Sequence, residues 1–300
     1  MATRIALVDM GTNTLKYSVA EVRDDGSFED IDGFADTVRL GAGLVSTGRI
    51  DPARIDRALS SLVGYQQRAE ELGASIFLGV ATAALRRATN GRDVLMAVSE
   101  RTRWQVKLVS GDLEARLTWA GLRHLIPATG DHLLVDIGGG SSEALAVRNG
   151  ELVSFESNDI GSGVLADHAF THYPPRDEVD AAVEEARTVL ASSPVLAEVH
   201  QPGLILSGGN GTFLHALSQW SYTEEDFTPT GLRILMHRIA EQEPAAIAGY
   251  LGIAVERAQM IPAGAAIAVA IAEIVQPVSL GAVPSGMRAG MVREWLAGTW

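Results

Sequence analysis

A short motif occurs twice in this chain, 127 positions apart, and each copy joins two strand-like runs with no helix between them. The first reads IALVDMGTNT from Ile5 to Thr14, the second LLVDIGGGSSE from Leu133 to Glu143. Both are apolar runs ending in Asp-x-Gly and a small, hydroxyl-rich turn, and both continue into strand-like stretches, Leu15 to Val22 and Ala144 to Val147. In dinucleotide-binding and Walker-type sites the glycine loop opens a helix whose N-terminus holds the phosphate. Here the glycines connect strand to strand, which excludes both classes. A third strand, Leu152 to Phe155, follows the Asn149-Gly150 pair, which suits a two-residue hairpin turn, and the first copy has the same plan with its turn at Asp24-Asp25-Gly26. The repeat predicts two similar domains facing one another.

The residue types in the repeat point to an anion. Glycines let the backbone approach a ligand closely and turn successive N–H groups inward as a nest, and Ser and Thr hydroxyls add donors. The Asp of each copy, Asp9 and Asp136, cannot face a phosphate without repulsion, and a divalent cation between them removes that conflict. A tight hairpin with no ligand is the alternative for any single Asp-x-Gly. Two copies in the same setting favour a pair of phosphate clamps.

Length and composition set the remaining bounds. Three hundred residues, 47% of them hydrophobic, supply two cores, and the absence of cysteine removes disulfides and thiolate metal sites. The first apolar run is interrupted by Asp9 and does not read as a signal peptide. Ala263 to Ala272 is too short to span a bilayer and reads as a buried helix, so a cytoplasmic protein is expected. The formal net charge of -13 argues against nucleic-acid binding. Its distribution is uneven, with 17 basic against 19 acidic residues in 1–150 and 7 against 18 in 151–300, so a polyanion is expected to approach the first half.

Strand and helix signals alternate along the chain. Asp51-Pro52 caps a helix through Leu72 with Leu59, Leu62, Val63 and Ala69 on its apolar face. A strand is predicted over 75–80, a helix over about 92–101, a strand over 106–109 and a helix over 112–125. The second half repeats the scheme with a helix over 177–190 and a strand over 204–206, then a glycine-rich turn and mostly helix to the end. This is an α/β domain pair, and with facing phosphate loops it is the plan of the actin-like (ASKHA, ribonuclease H-like) proteins, two domains with an interdomain cleft. The expected domains are residues 1–125, completed by 284–300, and residues 126–283. Other constellations fail on spacing. His168 and His172 lack the intervening Glu of a zinc protease and read as an ordinary helix pair, and no Gly-x-Ser-x-Gly elbow is present.

Taken together and in order, these segments resemble the exopolyphosphatase and guanosine pentaphosphatase (Ppx/GppA) phosphatases. VDMGTNT is similar to that family's DIGSNS loop, VRLGAGLVSTGRI (Val38 to Ile50) and ATAALRRATN (Ala81 to Asn90) to the two segments that follow it, and SGDLEARL (Ser110 to Leu117) to its SGEEEARL motif. DIGGGSSE resembles its DIGGGSTE, and SGGNGT (Ser207 to Thr212) and PSGMRAGM (Pro284 to Met291) its later motifs. Ala83, Leu113 and Val164 depart from the pattern, the last standing where an Arg is usual.

The resemblance implies a magnesium-dependent (or manganese-dependent) phosphoanhydride hydrolase that removes terminal phosphate from inorganic polyphosphate, guanosine pentaphosphate or both, and so a place in the stringent response. It implies Glu114 as the carboxylate that activates water, and a cation site on Asp136 and Glu143 with Asp9 as the equivalent in the first loop. Thr12, Asn13, Gly138, Gly139, Gly140 and Ser141 would donate to the terminal phosphate, and Arg86 would grip its oxygens in a fork. Gly208 and Gly209 read equally as a strand-to-helix turn and as phosphate contacts. Taken alone, Glu114 reads as a solvated carboxylate in the first turn of a helix. The expected partners are polyphosphate or guanosine penta- and tetraphosphate, with no nucleic acid and no membrane; a homodimer is left open. Two other readings stand beside this one. A kinase or ATPase of the same superfamily would need a nucleoside pocket near Ser207 to Thr212, and a non-catalytic alarmone or polyphosphate sensor would bind tightly without hydrolysis.

Overall fold

Each copy of the motif folds as the first hairpin of a five-stranded sheet. The computed structural model describes residues 2–220, 227–284 and 286–300, so Ser285 of the PSGMRAGM motif lies outside the described residues. The chain divides into two compact units, Met1–Gly121 with Met287–Trp300, and Leu122–Gly286.

In the first unit the order is β1 (Thr3–Met10), β2 (Thr14–Val22), β3 (Phe28–Thr37), α1 (Leu44–Thr47), α2 (Pro52–Glu71), β4 (Ile76–Ala81), α3 (Ala83–Arg87), α4 (Gly91–Arg101), β5 (Gln105–Leu108) and α5 (Gly111–Leu122). The second unit follows with β6 (Asp131–Ile137), β7 (Ser142–Arg148), β8 (Glu151–Asn158), α6 (Ser162–Ala169), α7 (Val179–Leu190), α8 (Pro194–Glu198), β9 (Gly203–Ser207) and α9 (Gly208–Gln219). It continues with α10 (Leu232–Ala240), α11 (Pro244–Leu251), α12 (Val255–Ala258), α13 (Ile261–Val275) and β10 (Ser279–Val283), and α14 (Met287–Leu296) returns to the first unit.

The sheet orders are β3-β2-β1-β4-β5 and, read from the equivalent edge, β8-β7-β6-β9-β10. In each, the two hairpin pairs are antiparallel, while the later strands (β4 and β5; β9 and β10) run parallel to the first. Two such sheets are the two actin-like domains expected of the repeat. The central strands β1 and β6 are buried on both faces, which is why they read as unbroken apolar runs. Along β1, Ala6, Val8 and Met10 enter one core with α2, whereas Ile5 and Leu7 enter the other with Leu117 of α5 and Met291 of α14. The two-residue period of a strand therefore puts Asp9 on the Ile5/Leu7 face, and Asp136 on the face opposite Leu133, Val135 and Ile137, which enter the core of the second unit.

Helix α2 starts where its cap predicts. The Asp51 side chain accepts from the amides of Ala53 and Arg54, with Pro52 in the first turn. Its buried stripe is Ala58, Leu59, Leu62, Tyr65 and Ala69. The expected Val63 falls outside it, because the 3.6-residue period carries that position to the flank, where it is 36% exposed. In the second unit α13 is apolar on every side, and all of Ala263–Ala272 is buried. The Val255–Val275 stretch, the one helical segment among the described residues apolar and long enough to cross a membrane, is therefore a core element here.

Two local expectations gain detail and one needs correction. The end of the chain is mostly helix, and β10 also extends the second sheet beside β9. It is a five-residue edge strand rich in small residues, with little apolar signal. The turn at Ser207 to Thr212 is the first turn of α9, with Ser207 as its N-cap. His168 and His172 do not share a helix, since α6 ends at Ala169.

Candidate functional site

Both glycine loops hold their shape by handing their carbonyls to a neighbouring segment. In the loop between β1 and β2 the Gly11 amide donates to the Thr14 carbonyl (3.1 Å), while the Thr12 and Asn13 carbonyls accept from the amides of Gly41 and Arg39 (both 2.8 Å). The loop between β6 and β7 repeats the arrangement. The Gly138 amide donates to the Ser141 carbonyl (2.9 Å), and the Gly138 and Gly139 carbonyls accept from the amides of Ser162 (2.8 Å), Gly163 (3.0 Å) and Val164 (3.1 Å) at the start of α6. Among the described residues no backbone carbonyl accepts from the amides of Thr12 and Asn13, or from those of Gly139, Gly140 and Ser141. Backbone donors rarely go without an acceptor in a folded chain, and consecutive ones in a tight turn form an anion-binding nest. The Thr12 hydroxyl is also buried without a hydrogen-bond partner.

Gly161, the N-cap of α6, keeps the second loop open. A Cβ placed there would stand 2.5 Å from Gly139 C and Gly140 N and 2.7 Å from Ser141 N. Those atoms are backbone and cannot swing aside. Gly161→Ala is expected to displace the loop, to cost about 1–3 kcal/mol as an overpacked site does, and to weaken anion binding. Thermal unfolding together with phosphate titration checks this, and an alanine variant with wild-type values of both would contradict it.

The strand register sets the acidic residues. Asp136 on β6 is directly opposite Glu143 on β7, and Glu143 is opposite Ser157 on β8. Directly opposed residues have Cβ atoms about 4.5–5.5 Å apart. Both carboxylates are buried, Asp136 7% and Glu143 2% exposed, and the Ser157 hydroxyl donates to Glu143 Oε1 (2.7 Å). Ser207 on β9 is opposite Asp136 on its other side, so one polar row crosses four strands. In the first unit the same row holds Val80, Asp9, Lys16 and Ala35. Lys16 therefore takes the place of Glu143, and its ammonium is 3.4 Å from Asp9 Oδ2. The spacing carried this signal, since Lys16 and Glu143 each follow their loop Asp by seven positions. Across the first hairpin the loop Asp faces an ammonium, and across the second it faces a carboxylate.

Glu114 and Arg86 are brought together in the first unit. Glu114, in the first turn of α5, is only 5% exposed, and Arg86 at the end of α3 donates through Nη1 to Glu114 Oε2 and to the Val109 carbonyl (both 2.9 Å). The lone-residue reading of Glu114 as a solvated carboxylate is thus overturned by its burial. The two Nη1 bonds account for two of the five N–H donors that a guanidinium carries. Arg86 thus orients the carboxylate, and its fork is partly committed to that contact.

Gly208 and Gly209 open α9 against the second loop. Gly208 has φ +74°, which favours glycine, and a Cβ there would be 2.5 Å from Asp136 Oδ1, so the chain passes directly over that carboxylate. The neighbouring Asn210 side-chain amide donates to the Ile137 carbonyl (2.5 Å) and so ties α9 to the end of β6. Arg257 of α12 packs its guanidinium over the Phe213 ring, 4.6 Å from the centroid, and would meet a Cβ at Gly209 at 2.7 Å. Burial holds this guanidinium below the usual arginine range. Neither Asn210 nor Arg257 is marked by any local sequence signal.

Of the carboxylates expected to serve a cation, Asp136 and Glu143 lie in the second unit and Asp9, their equivalent in the first loop, lies in the first. Among the described residues no group of three or more His, Asp or Glu side chains is placed to hold a metal ion, and Asp9 is committed to Lys16. The Asp136 and Glu143 pair remains. Two acidic oxygen donors suit magnesium, which takes one or two carboxylates and completes its shell with water and substrate phosphate oxygens. Two buried carboxylates opposed across the hairpin, with the chain at Gly208 passing close over Asp136, fit such an ion.

Known proteins resemble this chain over most of its length. A guanosine-5'-triphosphate,3'-diphosphate pyrophosphatase of Photobacterium profundum is 26% identical over 297 residues, which is 97% of this chain and 59% of the relative, so the chain spans well under two thirds of that protein's length. An exopolyphosphatase structure from Cytophaga hutchinsonii superposes with a TM-score of 0.88 at 22% identity over 99% of both chains. The Ppx/GppA enzyme of Aquifex aeolicus gives 0.73 at 25% identity, covering 98% of this chain and 100% of that one. The family model for the Ppx/GppA phosphatases matches residues 18–298. Because that match runs over nearly the whole length, the chain belongs to the Ppx/GppA phosphatase family.

Proposed function

We propose that this protein hydrolyses phosphoanhydrides, releasing terminal orthophosphate from inorganic polyphosphate, guanosine pentaphosphate or both. One observation carries the proposal: both glycine loops turn their carbonyls onto a neighbour and leave consecutive amides without a backbone acceptor, while a buried glutamate in the first unit is held by an arginine. The names of the Cytophaga hutchinsonii and Photobacterium profundum relatives point to the same two substrates.

Phosphoryl transfer asks little covalent chemistry of a protein, because positioning and charge stabilisation dominate. In the second unit the amides of Gly139, Gly140 and Ser141 offer donors to phosphate oxygens, and in the first unit the Thr12 and Asn13 groups do the same. Glu114 accepts a proton from the attacking water and orients its lone pair, and Arg86 fixes the carboxylate that does so. Asp136 and Glu143 would hold a divalent cation, which would supply charge neutralisation for the phosphate oxygens. Water adds to the terminal phosphorus as the bridging P–O bond breaks, so the products are orthophosphate and a chain shorter by one.

Phosphate release from tripolyphosphate, long-chain polyphosphate and guanosine pentaphosphate, each with magnesium and with excess chelator, tests this. Turnover of at least one substrate, lost on chelation, is the expected result. Tight binding of all three with no release in magnesium would move the protein to the sensor class.

A further inference from the structure

The segment between β3 and the second turn of α2 has a role that the phosphate loops do not use. Residues 38–57 carry Arg39, Arg49, Arg54 and Arg57 against Asp51 and Asp56, in a chain with 24 basic and 37 acidic residues. A cavity of about 700 Å³ lies here, within the first unit, and Arg49, Arg54 and Arg57 line it. Its size is within the range of small-molecule sites.

Two of the charged groups at the cavity are occupied. Asp51 caps α2, and Arg54 donates to the Val38 carbonyl (3.2 Å). Arg49 and Arg57 are different: both are exposed, and among the described residues neither guanidinium has a hydrogen bond or an ion pair. Elsewhere in this acidic chain arginines such as Arg68, Arg148 and Arg233 pair with carboxylates.

The wall is fixed and attached to the first loop. The buried Asn90 side chain accepts from the Ile50 amide (2.9 Å) and donates to the Ile50 carbonyl (3.0 Å), clamping the residue beside Arg49. At the other end, the Arg39 and Gly41 amides donate to the carbonyls of Asn13 and Thr12, so one stretch of backbone serves both the cavity and the loop that receives the terminal phosphate.

We propose that this cavity binds a second stretch of phosphate chain, with Arg49 and Arg57 as its anchors, and that it thereby sets a preference for longer substrates. Planar guanidiniums match phosphate oxygens in a two-point fork, and an oligophosphate carries negative charge at every unit. The proposal rests on the phosphohydrolase assignment for its catalytic consequence but not for the binding itself. The stretch is either the distal part of the chain being cut or a separate oligophosphate.

The test compares wild type with the double variant Arg49→Gln/Arg57→Gln. For phosphate release in magnesium, the variant is expected to raise KM for long-chain polyphosphate about tenfold, one guanidinium contact or more at 1.4 kcal/mol per tenfold, with tripolyphosphate KM and kcat unchanged. If the occupant is a separate molecule, long chain instead alters tripolyphosphate turnover non-competitively in wild type, and that effect disappears in the variant. Binding of end-labelled polyphosphate in a Glu114→Gln background gives a readout independent of turnover: affinity falls and its salt dependence becomes shallower. Identical binding and identical chain-length profiles in wild type and variant overturn the proposal, whereas a wild type that binds polyphosphate through these arginines but hydrolyses nothing overturns only the activity.

Discussion

Glu114→Gln is expected to lower kcat for phosphate release by about 10²–10⁴, the range for loss of a positioned general base, while the protein stays folded. Glutamine keeps the shape of the side chain, and its amide oxygen can still accept from Arg86 Nη1, which lies 2.9 Å from Glu114 Oε2. Only the basic oxygen and the charge are lost. Arg86→Ala makes the contrast. It removes the ion-pair partner of a carboxylate that is 7% exposed at its side chain, and breaking a buried pair from one side costs about 3–5 kcal/mol. The arginine variant should therefore lose both activity and thermal stability, whereas the glutamine variant loses activity alone. Kinetics and thermal unfolding on the two proteins separate the roles. A glutamine variant that releases phosphate at close to the wild-type rate removes Glu114 from the chemistry.

The sequence made the fold legible where physical constraints were local. Asp51-Pro52 announced the start of α2, the unbroken apolar runs before Asp9 and Asp136 announced buried central strands, and the Asn149-Gly150 pair marked a hairpin. Long-range placement was less visible. Strand β10 is five residues of mostly small side chains, and its strand character comes from pairing with β9 and not from its own propensity. Within the candidate site the pattern of glycines and carboxylates could be read, but their partners could not. Arg86 reads as a phosphate ligand, yet its bond to Glu114 joins residues 28 positions apart, and Gly161 protects a loop 20 positions upstream of it. The exception is Lys16, whose seven-residue spacing from Asp9 equals that of Glu143 from Asp136 and was available in the repeat itself.

That substitution within the repeat supplies a built-in experiment. Glu143→Lys gives the second loop the charge pattern of the first, and the chain already shows that an Asp on one strand and a Lys opposite it are compatible with this hairpin, since Lys16 and Asp9 occupy the equivalent register at 3.4 Å. The fold should survive. The loss of the hydrogen bond from Ser157 to Glu143 costs about 0.5–1.5 kcal/mol, a shift of a few degrees in a domain of this size. The proposed cation site should not survive, because the new ammonium would face Asp136 and put a positive charge where the ion would bind. Manganese affinity by calorimetry is expected to fall by at least about a hundredfold, at the upper end of what even an outer-shell change costs a metal site, and magnesium-dependent phosphate release should fall with it. Manganese binding within twofold of wild type in a folded Glu143→Lys protein would place the cation elsewhere. The asymmetry of the two hairpins, with Lys16 opposite Asp9 in one and Glu143 opposite Asp136 in the other, would then need a different physical cause.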